Sequence, residues 1–468
     1  MKFEPKKKIH FIGIGGIGMS AIANVLHKLG FTISGSDLNK NTITEALSKE
    51  GIKINYSHSA KNLEHADLVV YSSAIKKNNV EFKFATQNKI QLISRATMLA
   101  EVMRLKSSIT VAGSHGKTTT TSLISIILET SGMDPTIING GIINQFNANS
   151  KLGKGDWIVA EADESDGSFI FLPSTIAIIN NIDLEHLDFY KNIREVKDAF
   201  LNYAKNVPFY GFLAVCTDHK NVRNIIKKLV GKKIITFGLS KKCDYHPLNI
   251  KTIKVNKKYL SQFDVVLSKQ KNRIIKNIRI PIIGMHNIQN VLGSICVSKE
   301  IGISNFKIKE ALKNFKGVKR RFSIIYDDKN KTVIDDYAHH PEEIKKTLNT
   351  LRTITSGKVI VVFEPHRFSR INSLMSDFVK AFKKSDIIYI LPVYSAGEKK
   401  LKRISNKIIS EKLKQKYRAK EILHINNEQQ LFLQINQNLQ KNDKLIFLGA
   451  GTVTKIAKKY CEILNKNF

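Results

Sequence analysis

The stretch that most narrows what this chain can fold into is residues 108–128. An apolar run, Ile109–Ala112, meets Gly113, Ser114, His115, Gly116, Lys117 and Thr118, and Thr119–Leu128 then has the apolar content of a buried helix. Strand, glycine turn, lysine, hydroxyl, helix is the order a phosphate cradle requires. Backbone N–H groups at a helix N-terminus face an anion, and glycines let the backbone approach it. A lysine reaches the outer phosphates and the next hydroxyl can ligate Mg²⁺. The usual longer loop would need glycine at position 111, where this chain has Val111, so the turn is the shorter G-x-x-G-K-T with His115 inside it.

At 468 residues the chain is too long for one ordinary domain, and the length suggests about three. Its 42% hydrophobic content is enough for several cores. Cys216, Cys243, Cys296 and Cys461 are far apart and form no C-x-x-C pair, which argues against a disulfide framework or a zinc site and for a reducing compartment. The net charge of +35 would point to nucleic acid or an anionic membrane if it were clustered. The lysines are instead spread along the chain with abundant Ile and Asn. No aromatic-plus-basic signature accompanies them, so nucleic acid is not expected as the main partner. Lys6, Lys7 and Lys8 followed by an apolar run imitate a secretion signal, but Gly13, Gly15, Gly16 and Gly18 would make a poor signal helix. No stretch reaches the length of a membrane span, and a cytoplasmic protein without membrane insertion is expected.

In residues 1–104, Lys8–Ile14 reads as a buried strand, Gly13 to Gly18 as a G-x-G-x-x-G turn, and Met19–Leu29 as a helix closed by Gly30. Asp37 lies 19 residues beyond Gly18, the place of a ribose-binding acid in a dinucleotide fold, although the same turn can hold any diphosphate. Ala66–Ser73 is a further strand ending at Ser72 and Ser73, and Ile90–Ile93 is another.

In residues 105–320, the strand Trp157–Glu161 delivers Glu161, followed by Asp163, Glu164 and Asp166. Glu161 occupies the place of a magnesium-holding acid in a nucleotide-binding sheet, whereas the other three acids are open to a solvated-turn reading. Thr175–Ile182 reads as a strand leading to Asp183, His186 and Asp188, where His186 suits a metal. Gly284, His286, Asn287 and Asn290 follow, the two asparagines one helical turn apart and suited to a base or phosphate.

In residues 321–468, strands Thr332–Asp336, Lys358–Phe363, Asp386–Leu391 and Lys444–Leu448 each end in a polar motif. These hold Tyr337 and His339, then Glu364, Arg367 and Arg370, then Tyr394, then Gly449 and Gly451. Such strand ends predict a parallel sheet with its site along one edge. Two arginines three apart suit a carboxylate or phosphate, and Lys319, Arg320 and Arg321 stand at the expected boundary.

Five motifs in order, at 113–120, 161–166, 284–290, 335–341 and 365–370, make the chain resemble the Mur ligases of peptidoglycan synthesis from residue 8 to the last helix. The resemblance implies an α/β protein of three domains: a Rossmann-like UDP-sugar domain (1–104), a central P-loop ATPase with a mostly parallel sheet (105–320) and a Rossmann-like amino-acid domain (321–468). It implies ATP-dependent joining of L-alanine to the carboxylate of UDP-N-acetylmuramate through an acyl phosphate, with ATP and two Mg²⁺ ions. Gly13, Gly15, Gly16, Gly18, Asp37, Ser72 and Ser73 would bind the UDP-sugar. Gly113–Thr119, with His286, Asn287 and Asn290, would bind ATP. Lys117, His186 and Arg320 would be catalytic, with Arg320 reaching the γ-phosphate. Thr118, Glu161 and His186 would hold metal, and Tyr337, His339, Arg367 and Arg370 would receive the amino acid. Murein tripeptide is the alternative amine, disfavoured by the Ile12–Ser20 run. A nicotinamide oxidoreductase would explain residues 1–40 but leave the phosphate turn and Glu161 idle. Ser114, Phe368 and Thr452 depart from the commoner family residues without removing a group the chemistry needs.

Overall fold

The computed structural model describes residues 7–186, 189–256, 258–270, 273–328 and 331–466. Lys6 and Asp188 lie outside the described residues. Three sheets run in succession along the chain. The first is all parallel, in the order Lys53–Asn55, Thr32–Ser36, Lys8–Ile12, Leu68–Tyr71, Gln91–Ser94. Its central strand ends at Ile12, earlier than the sequence suggests, because Gly13 turns at φ +82° and its N–H, with that of Ile14, donates to the carbonyl of Ser36.

The second sheet has ten strands. Its parallel centre runs Ile234–Phe237, Phe212–Cys216, Ile176–Ile179, Ser107–Ala112, Trp157–Ala162, Thr136–Ile143. Antiparallel strands close both edges. The phosphate-turn strand therefore lies beside the strand of Glu161, with Val111 opposite Glu161. Both strands are buried on both faces, which is why they read as continuous apolar runs. The strand expected at Thr175–Ile182 stops at Ile179, since the Asn180 and Asn181 side chains are committed to the phosphate turn.

The third sheet runs Ser323–Asp327, Thr332–Asp336, Lys444–Leu448, Val359–Phe363, Ile387–Ile390, Glu421–His424, parallel except at its first strand. Helices on its two faces close two separate apolar cores, one around Ile344, Leu348 and Phe378 and one around Leu431, Ala457 and Tyr460.

The backbone gathers into two compact units. One runs from the N-terminus to Pro281 and resumes over Asn287–Gly317; the other holds Ile282–His286 and everything from Val318 onward. Within the first unit the two sheets share one core, and Asn149 Nδ2 donates to the carbonyl of Ile17 at 2.6 Å across them. No helix among the described residues is long and apolar enough to cross a membrane, and none of the four buried cysteines is in a disulfide.

Candidate active site

The phosphate turn is shaped by two glycines in conformations that other residues resist. Gly113 has φ +143° and Gly116 φ +81°, and a Cβ on Gly116 would stand 2.5 Å from Asn290 Oδ1. Asn181 brackets His115, its Oδ1 accepting the His115 N–H at 2.8 Å and its Nδ2 donating to the His115 carbonyl at 3.0 Å. The Asp183 N–H donates to Ser114 Oγ at 2.8 Å, and Asp183 Oδ2 lies 3.3 Å from His115 Nε2. His219 Nε2 approaches Asp183 Oδ1 at 3.0 Å. Burial alone would raise the Asp183 carboxyl, but His115 and His219 hold it far below the carboxylate range. The helix Lys117–Thr130 then begins with Thr118 and Thr119 buried in its first turn, two residues earlier than the apolar pattern announces.

Lys117 Nζ donates to both oxygens of Glu164, at 3.0 and 2.8 Å, and to the Gly113 carbonyl at 2.7 Å. Glu164 is therefore no solvated turn acid. It is buried, and burial pushes its carboxyl up to about 7 even though the Lys117 ammonium opposes this. Lys117 itself stays protonated: burial disfavours its charge, and Glu164 and Asp163 more than offset this. His186, at φ +54°, places Nε2 3.8 Å from Glu164 and 3.8 Å from Glu185. One ligand atom from each of Glu164, Glu185 and His186 falls within 4.8 Å of the others, a spacing that fits a divalent cation. Glu161 stands at the end of its strand, its Oε1 accepting the Gly140 N–H at 2.6 Å. Asn290 Nδ2 donates to Asn287 Oδ1 at 3.3 Å, so the asparagine pair does share one face. His286 groups with the other compact unit.

At the first glycine turn, Asp37 is drawn inward. Its Oδ2 accepts the Gly15 N–H at 2.9 Å and its Oδ1 the Asn39 N–H at 3.0 Å, so it braces the loop. Ser72 lies against Gly13, 3.2 Å from where a Cβ there would stand, and Ser73 is exposed. Beneath the turn, Ser36 Oγ donates to buried Glu81 at 2.5 Å, a carboxylate that no sequence motif marked.

In the C-terminal unit the Arg320 and Arg321 guanidiniums lie 4.8 and 5.2 Å from the centre of the Tyr337 ring, and Arg320 Nη2 donates to the Gly449 carbonyl at 2.6 Å. His339 Nδ1 donates to the Tyr337 carbonyl at 2.9 Å, and its ring meets that of His366, which stacks on Tyr394. Arg370 Nη1 donates to His366 Nδ1 at 3.3 Å. Burial lowers both imidazoles to about 3, so they are neutral near pH 7 and the cations here are arginines. Arg320 (φ +61°) and Arg367 (φ +68°) hold strained backbone, as His186 does. Glu364 receives the Thr452 and Val453 N–H groups and so caps the helix Val453–Lys466.

Sequence comparison agrees with this architecture. Residues 8–107 match the Mur ligase family catalytic domain, 111–298 the Mur ligase middle domain and 320–451 the Mur ligase glutamate ligase domain. The chain belongs to the Mur ligase family. This Mur ligase is 46% identical to a UDP-N-acetylmuramate–L-alanine ligase of Rickettsia bellii, over 96% of this chain and 95% of that protein. It is 43% identical to the protein of that name from Rhizorhabdus wittichii, over 98% and 97%. Among solved structures it is similar to the UDP-N-acetylmuramate-alanine ligase of Thermotoga maritima, with a TM-score of 0.83 and 29% identity over 98% and 100% of the two chains. The fold is shared with a murein peptide ligase of Psychrobacter arcticus, with a TM-score of 0.72 at 23% identity over 97% and 98%.

Proposed function

We propose that this Mur ligase joins L-alanine to the carboxylate of UDP-N-acetylmuramate at the expense of ATP, giving UDP-N-acetylmuramoyl-L-alanine, ADP and phosphate for peptidoglycan synthesis. The observation that carries the reading is the pairing of Lys117 with Glu164 at the mouth of a glycine turn, beside an acid-and-histidine cluster of ligand spacing. A free carboxylate is a poor partner for an amine because it has no leaving group. Attack of its oxygen on the γ-phosphorus, with ADP leaving, converts it to an acyl phosphate. The alanine amine then adds to the carbonyl carbon, and phosphate departs from the tetrahedral intermediate. Phosphoryl transfer asks for positioning and charge neutralisation rather than covalent chemistry.

We assign these tasks as follows. Gly113–Thr119 cradle the phosphates, and Lys117 turns from Glu164 to the β- and γ-oxygens. Thr118 and Glu161 hold one Mg²⁺; His186, with Glu164 and Glu185, holds a second. Bound there, the ions would neutralise phosphate charge and release Glu164 from the cost of being ionised without compensation. His286, Asn287 and Asn290 serve the nucleotide, and Arg320 is assigned the transferred phosphate. Tyr337, His339, Arg367 and Arg370 receive the amino acid. Neutral His339 and His366 leave the arginines to take its carboxylate. Gly13, Gly15, Gly16, Gly18, Asp37, Ser72 and Ser73 form the UDP-sugar site, with Asp37 acting as the brace of the loop. The domain limits 1–104, 105–320 and 321–468 belong to this proposal, as does a cytoplasmic site of action, which cysteines outside any disulfide fit.

A phosphate-release assay tests the reading. Turnover with UDP-N-acetylmuramate and alanine, but not with murein tripeptide, is expected. Turnover with tripeptide alone would replace alanine, and ATP cleavage with neither amine would overturn the ligase assignment.

A further inference from the structure

Arg95 opens the helix Arg95–Met103 directly after the edge strand Gln91–Ser94 of the first sheet. Its guanidinium crosses the first turn of the helix Ile17–Lys28, with Nη1 2.9 Å from the place a Cβ on Gly18 would take. A Cβ at Gly18 would make the guanidinium shift from this place. A cation at this spot is opposed by the peptide dipoles, which concentrate partial positive charge at a helix N-terminus. Asp163 and Asp166, in the turn after the strand Trp157–Ala162, partly offset this at 3.4 and 3.6 Å from Nη2. Both distances are longer than a good charge-assisted hydrogen bond, about 2.7–2.9 Å. Arg95 Nε is buried without a hydrogen-bond partner among the described residues. The helix terminus, the guanidinium and an unused buried donor therefore converge beside the glycine turn, and the Gly15 N–H that would otherwise serve an anion is taken by Asp37.

We propose that Arg95 is a further binding residue for the sugar nucleotide, its planar fork taking diphosphate oxygens at the Gly15–Gly18 turn while Asp163 and Asp166 position it. The proposal rests on the assignment of that turn to a UDP-sugar. A planar guanidinium suits two phosphate oxygens at once, which an ammonium does not. The acids explain how the cation is held in place beside a dipole that repels it.

The test is calorimetric titration of the full chain with UDP-N-acetylmuramate, UDP, uridine and, separately, ADP. Arg95→Met should weaken UDP-N-acetylmuramate and UDP by roughly tenfold to a hundredfold, leave uridine unchanged and leave ADP within about twofold of the parent. Arg95→Lys should fall between the two. Equal losses for UDP and uridine, an unchanged UDP affinity, or loss of ADP binding together with UDP would each overturn the proposal, the last by marking Arg95 as a structural tie. A parent protein that binds ADP but not UDP-N-acetylmuramate would instead sink the substrate reading underneath it.

Discussion

Replacing Glu81 by glutamine should weaken the first sheet and, through it, the glycine turn. The Glu81 carboxylate is fully buried. It accepts from Ser36 Oγ and Asn62 Nδ2 at 2.5 Å and from the Ser59 N–H at 3.2 Å, with His58 Nδ1 at 3.1 Å and His10 Nε2 at 3.8 Å. Burial pushes its pKa up, but His10, Ser36 and Asn62 pull it further down, from 4.5 to about 2. At about 1.4 kcal/mol per pH unit, the ionised carboxylate contributes about 3.5 kcal/mol at neutral pH. A carboxyl whose pKa is lowered on folding stabilises above its unfolded pKa, and that stability disappears as pH falls through the folded value. Of the contribution, about 1 kcal/mol is therefore gone by pH 4. Glutamine cannot ionise, and it turns an amide N–H₂ toward groups that are themselves donors. Urea unfolding of both proteins should give a gap of about 3.5 kcal/mol at pH 7 that narrows by about 1 kcal/mol at pH 4. A gap of the same size at both pH values would refute the ionised-carboxylate argument. Since the Ser36 carbonyl accepts the Gly13 and Ile14 N–H groups, KM for UDP-N-acetylmuramate should rise while kcat at saturation changes little.

Lys117→Ala should lower kcat roughly a thousandfold or more, measured by phosphate release, with the circular dichroism spectrum retained; most of kcat surviving would remove the cradle assignment. Gly116→Ala should destabilise by about 2 kcal/mol or more, from the left-handed backbone and the overlap with Asn290, and should abolish ADP binding in titration. Arg370→Ala should raise KM for alanine while leaving KM for ATP unchanged, which initial-rate kinetics would read directly. Chelation by EDTA should stop turnover and added Mg²⁺ restore it; full activity in excess EDTA would contradict the ligand roles given to Glu161, Glu164 and His186.

How much of this could be read from the chain depends on how far apart in sequence the cooperating groups lie. The phosphate turn was legible because everything it needs falls within Ile109–Thr130, and the mostly parallel C-terminal sheet followed from buried strands ending in polar motifs. The partner of Lys117 was not legible. Glu164 stands 47 residues further on, one of three acids after Glu161 that are open to a solvated-turn reading, and only the parallel pairing of Ser107–Ala112 with Trp157–Ala162 brings the two together. Glu81 was hidden for the same reason, since His10, Ser36 and the His58–Asn62 stretch come from three different segments. At Asp37 the gap was more local: the spacing placed the acid at the turn, but did not say that its oxygens would accept two backbone N–H groups. The expected boundary near residue 320 lies close to the division at Gly317 and Val318, whereas the five residues Ile282–His286 join the later unit without any local signal.

Backbone strain divides in the same way. A glycine announces a left-handed turn by its identity, as Gly113 and Gly116 do. A histidine or an arginine does not, yet His186, Arg320 and Arg367 all adopt positive φ, at a cost of about 1–3 kcal/mol each. They are three of the twelve non-glycine residues with positive φ among the described residues, and the three that the motifs had singled out for chemistry. Under the roles proposed above, such backbone would aim a side chain at a metal, a phosphate or a carboxylate, and packing around the turn meets the cost. Relieving the turn at His186 with glycine would keep the backbone but lose the ligand, so it should stabilise the fold slightly and still extinguish turnover.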